Sequence, residues 1–239
     1  EDTLRGLTRT PKSLSWKHWF DPEGSRLYER ACGQPENLAA RNEKAILTAK
    51  IGEIVEFLGV DCQCIELGGQ GSASTRLLIE HLRPALYVPV SSSRPYLAFA
   101  TAHVSNTFPW LNICALQAEF EAPLALPRFA GARLGGKAVF LLGATLSRYA
   151  PDEAEALLRR VRALAGPGGK ALIAADQTAD WHMLHGAYND RESAMAALNA
   201  YTLARINQEL GADFQIQRYE HVARYDEENG WLEIGRAHV

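Results

Sequence analysis

Short apolar runs alternate along the chain with segments whose apolar residues have helical spacing. The runs predict five β-strands, at residues 65–67, 86–90, 113–120, 138–144 and 171–175. Helices are predicted before and between them, over residues 42–58 and most clearly over 151–164, which begins with a proline and acidic residues and ends with arginines. Strands that alternate with helices predict an α/β fold with a doubly wound parallel sheet. Ligands of such sheets bind beyond the carboxyl ends of the strands.

The alternation changes after Asp176. A long helix is predicted over residues 191–210. Beyond it, two alternating segments flank the turn signal Asn229-Gly230 and predict a hairpin over residues 214–234. This helix and hairpin predict an accessory layer instead of a sixth strand–helix unit.

The stretch Gly68-Gly69-Gln70-Gly71 joins the first strand to the next helix. Its glycines allow a ligand to approach the backbone, and the first turn of the helix presents amide groups without intrahelical partners. The stretch matches neither a phosphate-binding loop nor the full dinucleotide fingerprint. Glu66 before it fits the looser Glu/Asp-x-Gly-x-Gly pattern of S-adenosylmethionine (SAM) methyltransferases. Packing within an α/β domain is the alternative interpretation.

Composition and charge narrow the possible functions. The 239 residues are 47% apolar and 22% charged, which is typical of a soluble globular protein with one large domain. A net charge of −3 and the absence of a Lys/Arg block argue against nucleic-acid binding. The apolar runs are too short to span a membrane, and no targeting segment is visible. A small-molecule substrate is therefore expected.

Cysteine and histidine positions predict no metal site. His182 and His185 are at helical spacing, but a third ligand is not evident. The four cysteines match no zinc or redox motif; they are Cys32, Cys62, Cys64 and Cys114. They are interpreted as core thiols in a reducing compartment, so a cytoplasmic location is expected.

A series of sequence blocks runs in order along the whole chain. The blocks are Leu7-Thr8-Arg9-Thr10-Pro11-Lys12-Ser13-Leu14, Gly24-Ser25, Arg41-Asn42-Glu43, Glu66-Leu67-Gly68, Thr75-Arg76-Leu77-Leu78, Val88-Pro89-Val90, Leu142-Gly143-Ala144-Thr145, Ala187-Tyr188-Asn189-Asp190, Asn207-Gln208-Glu209-Leu210-Gly211-Ala212-Asp213-Phe214 and Tyr219-Glu220-His221-Val222-Ala223. Together they resemble the L-histidine α-N-methyltransferases of ergothioneine biosynthesis. The resemblance implies a Rossmann-like SAM methyltransferase domain over residues 61–180. It implies a substrate layer built from residues 1–60 and 181–239.

The resemblance also implies which residues bind SAM. They are Glu66, Gly68, Gly71, Ser74, Ser91, Glu119 and Phe120. Three of them depart from the family pattern, because Ser74 stands for a lysine, Ser91 for the acidic residue that binds the ribose, and Glu119 for an aspartate in the adenine motif. A serine hydroxyl group cannot supply the charge-assisted, bidentate acceptor that a carboxylate offers.

The substrate residues implied by the resemblance are Phe20, Leu38, Arg148 and Tyr188. Phe20 aligns with a family tyrosine, and Asn37-Leu38 aligns with a tyrosine pair. Arg148 aligns with an asparagine that binds the amino-acid end of the substrate, whereas Tyr188 is retained. Methyl transfer requires alignment of an amine lone pair with the methyl sulfonium and little else from side chains, so no catalytic residue is assigned.

Two functions remain open at this point. The first is a divergent SAM-dependent N-methyltransferase that acts on an amino acid or a related small amine, with Arg148 selecting a carboxylate. The second is a methyltransferase fold with a lapsed cofactor site, which acts as a non-catalytic subunit or regulator. If each lost polar contact costs about 1 kcal/mol, three losses weaken SAM binding roughly a hundredfold.

The family pattern continues beyond the position of Val239 with a segment that completes the sheet. Without it, the predicted strand at residues 138–144 or that at 171–175 is left with an uncovered edge, and such edges bind other chains. We therefore expect that the chain is part of a longer protein, or that it associates with a protein partner or a second copy.

Overall fold

The computed structural model describes residues 2–68, 71–126, 134–177 and 180–238. The α-helices in these ranges are α1 (Asp2–Leu7), α2 (Pro22–Cys32), α3 (Leu38–Leu58), α4 (Ala73–Leu82), α5 (Arg94–Thr107), α6 (Pro151–Ala165), α7 (Trp181–Tyr188) and α8 (Ala194–Leu210). The strands are β1 (Gln63–Leu67), β2 (Leu86–Ser91), β3 (Leu116–Gln117), β4 (Lys137–Leu141), β5 (Lys170–Ile173), β6 (Tyr219–Asp226) and β7 (Trp231–His238). Short 3₁₀ helices are Trp16–Trp19, Thr145–Arg148 and Ile216–Arg218.

The chain forms two compact units. The sheet unit comprises residues 39–177, and the second unit comprises residues 1–38 and 178–239. Leu47 and Leu58 of α3 lie in the hydrophobic core of the sheet unit, which explains why that helix belongs to it. The sheet unit therefore begins at residue 39, whereas the sequence-based division begins it at residue 61. The assignment of residues 1–60 to a substrate layer stays a prediction.

β1 is the central strand of a five-stranded sheet with the order β3-β2-β1-β4-β5, and all its pairs are parallel. β1 and β2 are buried along their whole length, as is usual for parallel strands that helices cover on both faces. Cys64, Tyr87 and Phe140 share one core cluster with Leu78 of α4 and Val104 of α5. The predicted α/β fold with a parallel sheet is confirmed.

β3 is shorter than the strand predicted at residues 113–120. Tyr87 donates its amide hydrogen to Asn112 and accepts one from Cys114, but regular pairing resumes only at Leu116. The next residue of β2 whose backbone groups point toward β3 is Pro89, which has no N–H to donate. The ladder is therefore interrupted opposite Pro89, and the prediction of a continuous strand was wrong.

The second unit contains the predicted hairpin, with shifted boundaries. β6 and β7 pair antiparallel from Tyr219 opposite His238 to Asp226 opposite Trp231. The prediction that the first strand begins at residue 214 was wrong, because both backbone groups of Phe214 bond to the side chain of Asn207, at 2.8 Å each. That pairing holds the residue outside the ladder.

Helix α8 begins at Ala194, not at residue 191 as predicted. The amides of Ala194 and Met195 donate to the two carboxylate oxygens of Asp190, at 2.7 and 2.8 Å. Ser193 between them has a φ of +53°. The carboxylate therefore caps the helix, and the chain before Ala194 is turned away from helical geometry.

The described residues contain neither a helix that could cross a membrane nor a cluster of metal ligands. None of their helices combines the length and the apolar character that crossing a membrane requires. Within the same ranges, which include His182 and His185, no group of three or more His, Cys, Asp or Glu side chains is placed to hold a metal ion.

Candidate functional site

Three of the predicted cofactor residues lie at the carboxyl edge of the sheet, where adjacent strands end. The amide of Gly68, directly after β1, donates to the carbonyl of Val90 on β2 at 3.0 Å. The amide of Ala118, directly after β3, donates to the carbonyl of Ser91 at 3.0 Å. Glu119 is the next residue. The structure therefore brings Gly68, Ser91 and Glu119 to one edge, as the order of the strands requires.

The carboxylate of Glu66 is buried at the end of β1 and is hydrogen-bonded within the protein. It accepts hydrogen bonds from the hydroxyl groups of Thr75, at 2.5 Å, and Tyr87, and from the amide of Gly71 at 3.2 Å. Only 2% of the Glu66 surface is exposed. A buried carboxylate requires such donors. Glu66 therefore fixes the glycine turn to β2 and α4.

Gly71 closes that turn against helix α5. Its φ is +53°, and a Cβ atom there would lie 2.8 Å from Cγ2 of Val104 and 3.4 Å from the carbonyl oxygen of Ala100. Both the backbone conformation and the available space therefore require glycine. Arg76 also donates to the Gly71 carbonyl at 2.6 Å. This end of the turn is held rigidly in place.

Gly68 has a different environment. Its φ is +94°, and, apart from its chain neighbours, an ideal Cβ atom there would have no heavy atom of the described residues within 4 Å. The positive φ favours glycine, yet the space beside its Cα atom is open. Among the described residues, no side chain therefore crowds the backbone at the end of the central strand.

The serines near the edge have local structural roles. Ser74, in the first turn of α4, is 6% exposed, and Ser72 caps that helix by accepting from the Thr75 amide. Ser91 is also 6% exposed, and its hydroxyl group accepts from the amide of Ser93 at 3.3 Å. A hydroxyl group that accepts one hydrogen bond still has a proton to donate. Ser91 thus retains the ability to contact a ligand.

The segment after β3 offers one exposed and one buried side chain. Glu119 is exposed, and its carbonyl accepts the amide hydrogen of Ala122 at 3.1 Å. Phe120 is buried, with 6% of its surface exposed. The Phe120 ring can pack against a planar ring of a ligand, and the Glu119 carboxylate can accept hydrogen bonds from donor groups on that ring.

The chain after β4 makes a left-handed turn. Gly143 and Ala144 have φ values of +66° and +52°, and the left-handed conformation costs Ala144 roughly 1–2 kcal/mol. The Gly143 amide donates to the carboxylate of Glu43 on α3 at 2.8 Å. The prediction that the strand continues to residue 144 was wrong, because this turn ends it at Leu141. The turn leads into the 3₁₀ helix that carries Arg148.

Arg148 adjoins a hydrogen-bonded pair. The hydroxyl group of Tyr149 donates to Oε1 of Glu121 at 2.7 Å. Burial raises the pKa of Tyr149, and the hydrogen bond to Glu121 raises it further. The Arg148 side chain is half-buried beside this pair. A guanidinium group in this place can bind a carboxylate.

The other predicted substrate residues belong to the second unit. Phe20 is buried there and packs edge-to-face on Trp16, with ring centroids 5.5 Å apart. Leu38 and Tyr188 are half-buried. Arg148 belongs to the sheet unit, so the assignment of these four residues to substrate binding stays a prediction.

His221 holds the backbone of Tyr188. Its Nε2 atom lies 2.8 Å from the Tyr188 carbonyl oxygen, and Nδ1 lies 2.9 Å from the side-chain nitrogen of Asn199. A carbonyl can only accept and that amide nitrogen can only donate, so Nε2 carries the proton and Nδ1 accepts. His221 is therefore a structural residue that fixes the end of α7.

Two contributors to the site were not singled out from the sequence. The sequence predicts Tyr87 only as part of an apolar strand, although a buried tyrosine usually has a partner for its hydroxyl group. Tyr149 had no local signal, because its partner Glu121 lies 28 positions away in the chain.

Comparisons with known proteins agree with the resemblance found in the sequence. Residues 1–237 match the family model described as histidine-specific methyltransferase, SAM-dependent. The histidine N-alpha-methyltransferase of Mycolicibacterium smegmatis is 32% identical, over 98% of this chain and 72% of that protein. The enzyme of the same name from Mycobacterium tuberculosis is 31% identical over the same shares.

Among solved structures, the magnesium protoporphyrin IX methyltransferase from Synechocystis PCC 6803 with bound SAM is similar. Its TM-score is 0.43 and its identity is 13%, and the match covers 93% of this chain and 95% of that chain.

Proposed function

We propose that this chain, which belongs to the family of histidine-specific, SAM-dependent methyltransferases, transfers a methyl group from SAM to the α-amino nitrogen of a small amino acid. Histidine is the substrate named for the two mycobacterial relatives. It is therefore the first amino acid to test. The observation that carries the proposal is the convergence of Gly68, Ser91 and Glu119 at the carboxyl edge of the sheet, where their strands end.

The residues at the carboxyl edge fit SAM. An ideal Cβ atom at Gly68 would meet no heavy atom of the described, non-adjacent residues within 4 Å, which supports an approach of the cofactor to the backbone there. Ser91 would bond a ribose hydroxyl group, and Phe120 with Glu119 would receive the adenine ring. Glu66 and Gly71 would fix the turn without touching the cofactor. Bound SAM supplies an electrophilic methyl group on a sulfonium sulfur.

The contribution of the protein is alignment. An amine attacks in line with the bond from the methyl group to sulfur, and holding the two reactants in that geometry accounts for much of the rate. Arg148 would bind the carboxylate of the amino acid in a bidentate manner. The amine must be neutral when it reacts, because a protonated amine has no lone pair.

The substrate class is tested by an assay with purified chain, SAM and a panel of amino acids, including histidine. Mass spectrometry of the products should show a gain of one to three methyl groups on one of them. Histamine, which lacks the carboxylate, should be a poor substrate. If no amino acid is methylated although SAM binds, the proposed substrate class is wrong. If SAM does not bind, the chain is the non-catalytic protein considered above.

A protein partner or second copy is a further part of the proposal. β5 is an edge of the five-stranded sheet, and Ile173 at its end is 37% exposed. An edge with apolar side chains favours pairing with another strand. Sedimentation at increasing concentration should therefore show self-association. A monomer at every concentration would count against a second copy at this edge.

A further inference from the structure

The hydrogen bond between Tyr149 and Glu121 joins two loops that leave the sheet from different strands. Glu121 follows β3, and Tyr149 follows β4 through the 3₁₀ helix Thr145–Arg148. The hydroxyl group of Tyr149 lies 2.7 Å from Oε1 of Glu121. Both side chains are half-buried.

β3 and β4 are not neighbours. β2 and β1 lie between them in the sheet, so the two strands are three inter-strand spacings, or about 14 Å, apart. Both loops leave from the carboxyl edge. Their contact therefore passes over the carboxyl ends of β2 and β1, where Ser91 and Gly68 lie.

The hydrogen bond between Tyr149 and Glu121 is of a strong kind. A phenol that donates to a carboxylate makes a charge-assisted hydrogen bond, which is stronger than a neutral one. Burial raises the pKa of Tyr149 well above its ordinary value, and the bond to Glu121 raises it further. The hydroxyl group thus keeps its proton, and its role as donor, at neutral pH.

We infer that Tyr149 and Glu121 are positioning residues that form a strap over the cofactor site, and that this bond must open for SAM to enter and for S-adenosylhomocysteine to leave. The inference rests on the proposed SAM site. The strap retains the cofactor beneath it. It also holds Arg148, the neighbour of Tyr149, over the ends of the central strands.

The test measures the rate at which S-adenosylhomocysteine dissociates from the full chain, by stopped-flow displacement with excess SAM. Tyr149→Phe removes only the hydroxyl group, and Glu121→Gln keeps the shape of the side chain. Each should release the ligand about tenfold faster, which corresponds to about 1.4 kcal/mol. The double variant should be no faster than the faster single variant, because both changes remove the same bond.

Tyr201→Phe is the matched control. Tyr201 donates to Asp21 at 2.6 Å, so its loss removes a similar bond within the second unit and none within the sheet unit. The release rate should stay unchanged in this variant. Unchanged release in both strap variants, with normal binding by the unmodified chain, would overturn the strap and leave the proposed function intact. Absence of ligand binding by the unmodified chain would overturn both.

Discussion

Tyr87 on β2 donates its hydroxyl hydrogen to the carboxylate of Glu66 on β1. Tyr87 pairs with Cys64 in the sheet, two positions before Glu66, so both side chains lie on the same face. Thr75 and Gly71 donate to the same carboxylate from the start of α4 and from the turn. The acidic residue of the cofactor motif is thus used to hold the turn, and its influence on a ligand is indirect.

Replacing Tyr87 by phenylalanine should weaken both the fold and cofactor binding. The change leaves a buried carboxylate one donor short, which costs about 1–3 kcal/mol of unfolding free energy. The turn that it holds loosens, so SAM should bind more weakly. Denaturant unfolding and calorimetric titration measure the two effects. Tyr201→Phe should lower stability without changing SAM affinity. Unchanged SAM affinity in Tyr87→Phe would contradict the role assigned to Glu66.

Replacing Gly68 by alanine should abolish SAM binding at a modest cost in stability. Its Cβ atom would clash with no atom of the described, non-adjacent residues but would occupy the space beside the end of β1, and the φ of +94° adds backbone strain. Gly59 is a matched control, since its φ is +83° and its surroundings are also open. It follows α3 at the opposite edge of the sheet. Gly59→Ala should therefore lose similar stability and keep full SAM affinity.

Replacing Arg148 by glutamine should impair the methylation of amino acids and leave the methylation of amines that lack a carboxylate unchanged. If the guanidinium group binds the substrate carboxylate, KM for histidine should rise by one to two orders of magnitude, since a charge-assisted contact is worth roughly 1.5–3 kcal/mol. KM for histamine should stay the same. Arg159→Gln changes an exposed arginine of α6 and should affect neither substrate. An equal rise for histidine and histamine would mean that Arg148 does not recognise the carboxylate.

Stability should fall at alkaline pH because of Cys62. Burial raises the pKa of its thiol from 9.0 to about 11. A raised pKa favours the protonated form in the folded state, so this contribution is complete below pH 9 and is lost as the pH rises through 11. Unfolding free energy measured across this range should decline less in Cys62→Ala than in the unmodified chain. Cys114→Ala, at a partly exposed position, should show the full decline.

The sequence predicts the sheet well because local patterns determine its strands. Residues 65–67 are a buried strand followed by glycines, and this pattern alone indicates the strand and its turn. The late start of β3, at Leu116 instead of residue 113, could not be predicted in the same way. It depends on the missing N–H of Pro89 on the neighbouring strand, and this becomes relevant only when the two strands pair.

The site is partly predictable for a similar reason. Gly68, Ser91 and Glu119 follow strands, so the order of the strands is sufficient to place them at one edge. Tyr87 and Tyr149 act through partners that are distant in sequence, at 21 and 28 positions. Pairwise contacts of this kind leave no local pattern. The arrangement of the substrate residues depends on the two units together, and it stays a prediction.

Calorimetric titration of SAM into the purified chain tests the proposed function most directly. We expect saturable binding at one site with a Kd in the micromolar range, and loss of that binding in Gly68→Ala while Gly59→Ala binds normally. The loss should follow from the Cβ atom that alanine places in the open space beside the glycine turn. Absence of binding heat from the unmodified chain, together with no thermal stabilisation by SAM or S-adenosylhomocysteine, would contradict a functional cofactor site.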